Sequence, residues 1–145
     1  MEAKSAAEIL GFEFDWLAAD AEGHVAMFST AGGGYAPEAF LRDTNAHDEA
    51  IDALLASPAS TTARLAPALP PGMKNTWRDV AERGLFAFDS DVHGGPYRLV
   101  AAPEVPIKMG QLPLAISCVL GNLELRHVRF VETSAISEHM LKEGQ

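Results

Sequence analysis

Cysteine, basic residues and long apolar runs are all scarce in this chain. Its one cysteine, Cys118, excludes an intramolecular disulfide and any cysteine-rich zinc site. Because Cys118 lies within an apolar run, we expect it to be a small buried residue. No apolar stretch approaches the roughly 18 residues that cross a bilayer, and the N-terminus lacks a signal-peptide pattern. These absences predict a cytoplasmic protein with no membrane partner.

Acidic residues outnumber basic ones, 20 to 11, and the formal net charge is −9. Such a field repels nucleic acid, whose binding depends on Lys and Arg contacts to phosphate, so no nucleic-acid partner is expected. The same field speeds encounter with a basic protein surface. Net charge also keeps a protein soluble, and this simpler interpretation stays open. With 145 residues, 48% of them hydrophobic, the chain is predicted to fold as one domain over residues 1–145.

Two β-hairpins are predicted from the alternation of side chains. Residues 12–18 alternate between two faces, Gly23 provides a turn, and 24–30 reads as the returning strand with acidic residues on the solvated side. The second hairpin joins strands 85–90 and 97–102. Residues 123–131 are predicted to be a strand, and 114–120 is left open as strand or short helix. The tail from Glu138 is predicted to be frayed.

Three helices are predicted from capping and periodicity. Ser5 and Glu8 have capping-box spacing and start a short helix through Leu10. A longer helix over 38–56 is expected to break near Thr44, and another begins at Thr76 and ends by Gly84. Residues 57–73 are predicted to be a proline-rich loop. The fold class is therefore α+β, an antiparallel sheet built from hairpins with two to three helices packed on it.

Three apparent chemical motifs fail at named residues. The glycine triplet before Pro37 lacks the Lys and the third glycine of nucleotide-binding loops, so we interpret residues 31–36 as a flexible connection. The turn 89–94 has the start of a calcium loop, but His93 and Val100 stand where ligands are needed. No two histidines are three or four residues apart, and His47 is predicted to be a hydrogen-bonded helix residue. The sequence predicts no metal ion and no cofactor.

Nucleophilic and acid–base motifs are missing as well, which favours a binding protein over an enzyme. No Gly-x-Ser-x-Gly elbow occurs, and the neighbours of Cys118 are aliphatic rather than electropositive. The alternative is a small enzyme or small-molecule-binding protein whose site assembles from distant residues, with four candidates: His24, His93, Asp89 and Asp91. A subunit of a homo-oligomer with no separate activity is a third interpretation that the sequence leaves open.

An acidic surface is the main candidate for binding. The first hairpin and the helix after it are predicted to display carboxylates that dock a basic protein surface. Tyr35 is an attractive anchor, since exposed aromatic residues are enriched among interface hot spots. The predicted partner-binding residues are Asp15, Asp20, Glu22, Gly33, Tyr35 and Asp43.

The first hairpin and the loop after it also carry a resemblance. The segments 14–20, 22–26 and 28–32 resemble the opening of small bacterial proteins, some of them similar to immunity proteins encoded beside polymorphic or contact-dependent toxins. The likeness covers residues 12–34 and a shorter piece near 112–131. It implies an acidic cytoplasmic protein that binds one toxin domain and occludes its active site. It transfers no catalytic residue to this chain.

Overall fold

A mixed sheet forms the centre of the protein. The computed structural model describes residues 2–65 and 76–143. Within these residues the strands are β1 (Asp15–Asp20), β2 (Val25–Ser29), β3 (Ala63–Leu65), β4 (Phe86–Asp89), β5 (Tyr97–Pro103), β6 (Glu124–Leu125) and β7 (Ala135–Ile136). Their order across the sheet is β3-β5-β4-β2-β1-β6, and β7 also pairs with β5.

The prediction of an α+β fold is confirmed, but that of a purely antiparallel sheet is wrong. The two hairpins β1–β2 and β4–β5 are antiparallel, as expected. However, β2 pairs with β4 in parallel, and so does β1 with β6. Parallel neighbours need a long crossover connection, and the helical segment between β2 and β4 supplies one. The two hairpins therefore lie side by side with their inner strands running the same way.

Six α-helices, rather than two or three, occur in the described part of the chain. They are α1 (Ala6–Ile9), α2 (Glu38–Leu41), α3 (Thr44–Ala56), α4 (Thr76–Ala81), α5 (Leu114–Gly121) and α6 (Glu138–Glu143). The capping box of α1 is present, with both hydrogen bonds between Ser5 and Glu8. The predicted break is confirmed, because Asp43 caps the N-terminus of α3 after α2 has ended. None of the helices described here is long and apolar enough to cross a membrane.

Both faces of the sheet are buried. Helices α3, α4 and α5 pack on the face that carries Leu17 and Met27. The opposite face carries Trp16 and Phe28, and residues from the C-terminal segment, such as Phe130, cover it. The expectation that the first hairpin exposes one polar face is therefore wrong, because its alternating pattern places alanine and leucine under the helices.

The C-terminal third differs most from the sequence-based predictions. Residues 114–120 belong to helix α5, which settles that open choice. The predicted strand 123–131 is wrong beyond β6, because the chain turns after Leu125 and continues to a 3-10 helix at Phe130–Glu132. The prediction of a frayed tail from Glu138 is wrong as far as residue 143, because these residues form α6 and Leu141 is completely buried.

Two local predictions also need correction. Cys118 is exposed, because it lies on the outer face of α5 while Ile116 and Leu120 take the buried positions. The proline-rich segment 57–73 contains the short strand β3, which extends the sheet beyond β5. Residues 66–73 of that prediction lie outside the described part of the chain.

Candidate functional site

Three chain segments converge at one end of the sheet, where β1 begins and both β2 and β4 end. Thr30 ties two of them together, since its hydroxyl accepts the backbone N–H of Phe14 at 3.0 Å and donates to the carbonyl of Phe12 at 3.4 Å. The backbone N–H of Gly11 donates to the carbonyl oxygen of Gly32 at 2.7 Å. The turn after β4 packs against the same glycine loop.

Two carboxylates flank a serine across this end of the sheet. In the strand register Asp15 lies opposite Ser29, and Ser29 lies opposite Asp89. Side chains at one register position of a sheet point to the same face, which here is the face covered by α3 and α4. The indole Nε1–H of Trp77, in α4, donates to the Ser29 hydroxyl oxygen at 3.3 Å. Residues that are far apart in sequence thus form one polar row.

Both carboxylates are held in a setting that disfavours their charge. Burial raises the pKa of Asp15, although a hydrogen bond from Ser29 lowers it in part. Burial raises the pKa of Asp89 to about 6, and the negative charges of Glu13, Asp15 and Asp91 add to this rise. One oxygen of each carboxylate, Oδ1, is buried and has no hydrogen-bond partner. We name Glu13, Asp15, Asp89 and Asp91 the acidic end.

Large apolar side chains stand exposed beside these acidic residues. Phe12, which precedes Glu13, is 65% exposed, and Val92, which follows Asp91, is 67% exposed. Leu10 is 66% exposed and lines a cavity of about 200 Å³ together with Gly33 and Tyr35. Exposed aromatic and aliphatic groups next to charged ones are typical of the surfaces that proteins use to bind one another.

The structure divides the predicted partner-binding residues among three places. Asp15, Gly33 and Tyr35 lie at or beside the acidic end. Asp20 lies at the other end of β1, about 17 Å away by strand length, and Glu22 lies in the turn that follows it. Asp43 caps α3, where its carboxylate accepts the backbone N–H of Ala46. One contact surface containing all of them is therefore not formed.

Asp20 is buried rather than exposed, which corrects the expectation of a solvated hairpin tip. It is 5% exposed, and its carboxylate accepts three backbone N–H groups, from Glu22, His24 and Phe130. The first two bonds build the turn, and the third ties the turn to the C-terminal segment. Glu22 is exposed, as expected.

Gly33 and Tyr35 belong to a packed loop, which corrects the expectation of a flexible one. A Cβ atom on Gly33 would stand 2.5 Å from the carbonyl oxygen of Asp91, so the loop and the turn after β4 are in direct backbone contact. The hydroxyl of Tyr97 donates to the carbonyl oxygen of Tyr35 at 2.7 Å. The ring of Tyr35 is half-buried, and the ammonium of Lys142 lies 5.5 Å from its centre.

The four residues of the enzyme alternative do not form one site, because His24 is remote from the other three. His24 precedes β2, whereas Asp89 lies level with the far end of β2, about 17 Å along the strand. Asp91 and His93 are exposed in the turn after β4, where the Asp91 carboxylate accepts the backbone N–H groups of His93 and Gly95. Asp91 therefore serves the turn itself.

Cys118 and His47 line one shallow depression, but they do not form a nucleophile–base pair. The Nδ1 atom of His47 accepts the backbone N–H of Leu17 at 3.0 Å, so its proton is on Nε2. Burial lowers the pKa of His47 to about 4, which keeps the ring neutral. A base needs a free nitrogen lone pair near the thiol, whereas the lone pair on Nδ1 of His47 already accepts the backbone N–H of Leu17.

Sequence reasoning missed that Asp15, Ser29 and Asp89 lie side by side across the sheet. Asp89 was a candidate only for the enzyme alternative, and Ser29 and Trp77 were not candidates. The available signal was that one carboxylate, Asp15, lies within the first predicted strand and another, Asp89, lies next to the end of the third. Joining them required the parallel register of β2 and β4, which no local pattern contains. Comparison of the chain with family models, curated proteins and solved structures found no match.

Proposed function

We propose that this protein is a protein-binding module that docks a basic partner on its acidic end and occludes the partner's active site. The partner class, a bacterial toxin domain, comes from the resemblance of residues 12–34 to immunity proteins. The docking site comes from the geometry of the sheet end. The two parts of the proposal are tested separately below.

The buried, unpaired carboxylate oxygens of Asp15 and Asp89 are the observation that carries the proposal. Leaving a buried acceptor without a donor costs about 1–3 kcal/mol, and more for a charged group. Both residues are partly exposed, so a lysine or arginine of a partner approaches the carboxylates from solvent and lowers the cost of their charge, while the Oδ1 atoms themselves lie below the surface. The protein thus keeps an unfavourable arrangement in the free state that binding of a cationic side chain relieves.

The surroundings support a protein rather than a small ion as the source of that cation. Phe12 and Val92, next to Glu13 and Asp91 in the chain, offer exposed apolar contact area beside the acidic end. Binding energy in protein interfaces concentrates in such aromatic and aliphatic groups, while the charged rim sets orientation and partner choice. Gly33 has no side chain, so the glycine loop and the turn after β4 come into backbone contact, and this contact shapes the surface beside the acidic end.

The first test is co-expression of this protein with the product of the neighbouring upstream gene. We expect rescue from toxicity and a one-to-one complex that survives gel filtration. If the neighbouring product is not toxic, or the two proteins form no complex, the immunity assignment fails.

The second test asks whether the acidic end makes the contact. We expect the double variant Asp15→Asn, Asp89→Asn to lose at least about 30-fold in affinity, since removing one side of a buried charge pair costs about 2 kcal/mol or more. The matched control is Glu104→Gln, Glu124→Gln, which removes the same charge at the opposite end of the sheet. We expect this control to change affinity by less than about threefold.

Stability measurements separate a binding role from a structural one. The pKa of Asp89 is higher in the folded protein than in the unfolded chain, so its contribution to stability is lost as pH rises through about 6. At pH 7 the charged carboxylate therefore destabilises the fold, and Asp89→Asn should raise the free energy of unfolding. A residue whose removal stabilises the protein but weakens binding is retained for function. Equal affinity losses in both double variants would refute the docking site.

A further inference from the structure

Three metal-ligating side chains converge at the β1–β2 turn, at the end of the sheet opposite the acidic end. Asp20, Glu22 and His24 stand at alternate positions, and one ligand atom of each lies within 4.8 Å of the others. This cluster combines an imidazole nitrogen with two carboxylates, and neither the proposed docking site nor the fold explains all three.

Asp20 is held rigidly and keeps one acceptor position free. Its Oδ1 accepts the backbone N–H groups of Glu22 and His24, each at 2.9 Å, and its Oδ2 accepts that of Phe130 at 2.8 Å. A carboxylate has about four lone-pair positions, so three bonds leave one on Oδ2. Metal-binding carboxylates are oriented by such outer hydrogen bonds.

His24 supplies a buried nitrogen that has no hydrogen-bond partner. Its Nδ1 atom is buried and lies 3.8 Å from Oδ2 of Asp20, too far for a hydrogen bond. The ring is 14% exposed and packs near Phe86, with 6.0 Å between ring centres. An unsatisfied buried nitrogen beside an unused carboxylate lone pair calls for a shared cation.

The Asp20 and His24 atoms lie near the spacing of two zinc ligands, whereas the Glu22 carboxylate, within 4.8 Å of both, must move closer. Tetrahedral Zn²⁺ with bonds of about 2.1 Å places its ligand atoms about 3.4 Å apart, so a contraction of a few tenths of an ångström completes the pair. The donor set points the same way, because Ca²⁺ and Mg²⁺ prefer oxygen alone whereas imidazole suits Zn²⁺. We propose that Asp20, Glu22 and His24 bind one Zn²⁺ ion, with water as its fourth ligand.

Arg129 is the competitor for this ion. Its Nε atom lies 3.9 Å from the Glu22 carboxylate, and its guanidinium also pairs with Glu132 at 3.0 Å. Glu22 must leave this contact to reach the metal, and the arginine charge repels the ion. Removal of Arg129 should therefore tighten zinc binding.

The bound ion would fasten the hairpin turn to the C-terminal segment. Asp20 already joins the turn to the backbone of Phe130, and zinc on Oδ2 would hold that carboxylate from both sides. The inference does not depend on the proposed function, since the acidic end lies at the other end of β1.

The test is isothermal titration of Zn²⁺ into the full chain after treatment with a chelator and removal of any purification tag. We expect one ion per chain and a rise in Tm of about 5–10 °C at a hundredfold excess over Kd. His24→Gln should weaken binding by more than about 100-fold and Glu22→Gln by about tenfold, whereas Arg129→Gln should tighten it. The control is His93→Gln, an exposed histidine in another turn.

A second readout needs no substitution. Zinc should shift the Nδ1 resonance of His24 in ¹⁵N spectra of the wild-type protein and leave His93 unchanged. Asp20 is not substituted, because its three hydrogen bonds hold the turn; Glu22 is exposed, so Glu22→Gln keeps the fold. The proposal is overturned if wild-type protein binds no Zn²⁺, if His24→Gln and Glu22→Gln bind it unchanged, or if the His24 resonance stays in place.

Discussion

At the scale of the residue, a single buried polar side chain accepts a backbone N–H of the sheet that has no strand partner. Strand β6 pairs with β1 only at Ala19 and Asp20, which leaves the backbone N–H of Leu17 without a strand partner on that side. His47 of α3 accepts this N–H at 3.0 Å, and the ring also packs edge-on against Phe40. The predicted hydrogen-bonded role of His47 is confirmed, and the reason is the short length of β6.

The buried state of His47 predicts a loss of stability in acid. Its pKa is about 4 in the folded protein against 6.5 for the free side chain, so the unfolded chain takes up a proton first as pH falls. Between pH 7 and pH 4 this one residue should remove about 3 kcal/mol from the free energy of unfolding. Urea denaturation across this range measures the effect.

A variant without an ionisable side chain at position 47 isolates the contribution of His47 to the pH dependence of stability. In His47→Gln the free energy of unfolding should vary less with pH, so that its difference from wild type shrinks on acidification. His127→Gln removes an exposed histidine and is the control for the loss of an imidazole. Parallel curves for both variants would contradict the burial argument.

At the scale of elements, the glycine loop and the turn after β4 act as one unit. Gly34 is also closely packed, since a Cβ atom there would lie 2.7 Å from both the Cβ of Ser90 and the hydroxyl of Tyr97. The loop has no room for side chains because two backbones meet, and this contact shapes the sheet end. The predicted hairpin-to-helix connection is correct in position but wrong in its flexibility.

We expect Gly33→Ala and Gly34→Ala to destabilise the protein by about 1–3 kcal/mol each, because the added methyl group must displace backbone or packed side chains. Thermal or urea unfolding measures the loss. Gly110→Ala is the matched control, since nothing lies within 4 Å of its added methyl group, and its stability should change by less than about 0.5 kcal/mol. If Gly33→Ala and Gly110→Ala behave alike, the loop has more room than the packed geometry allows.

Element prediction succeeded where the signal lies within a few residues. Ser5 and Glu8 cap α1 through contacts three residues apart, as predicted. The break before α3 was predicted from the low helix propensity of Thr44 and Asn45, although its cap, Asp43, was not. It failed for 123–131, where Leu125, Val128 and Phe130 are buried although strand alternation puts them on different faces. The chain turns between Leu125 and Val128, so a period of two no longer applies.

At the scale of the whole molecule, the net charge of −9 should speed the arrival of the basic partner proposed above. We expect the association rate with the proposed partner to fall at least about tenfold between low and near-molar salt, while dissociation changes less. Stopped-flow mixing or surface plasmon resonance measures both rates.

The two double variants separate this long-range steering from local contact. Each removes two negative charges, so each should lower the association rate by a similar small factor. Only Asp15→Asn, Asp89→Asn should speed dissociation, because only its residues contact the partner in the proposed complex. An association rate independent of salt would show that the charge serves solubility alone.

The sequence by itself determined the α+β class, the two hairpins, the capped helices and the acidic character, because each depends on neighbours in the chain or on composition. Tertiary structure alone decided that β2 lies parallel to β4, that Asp20 is buried, and that Cys118 is exposed. It also brought Asp15 together with Asp89. The physical reason is that strand pairing joins residues across long crossovers, and which strands pair depends on how the whole core packs.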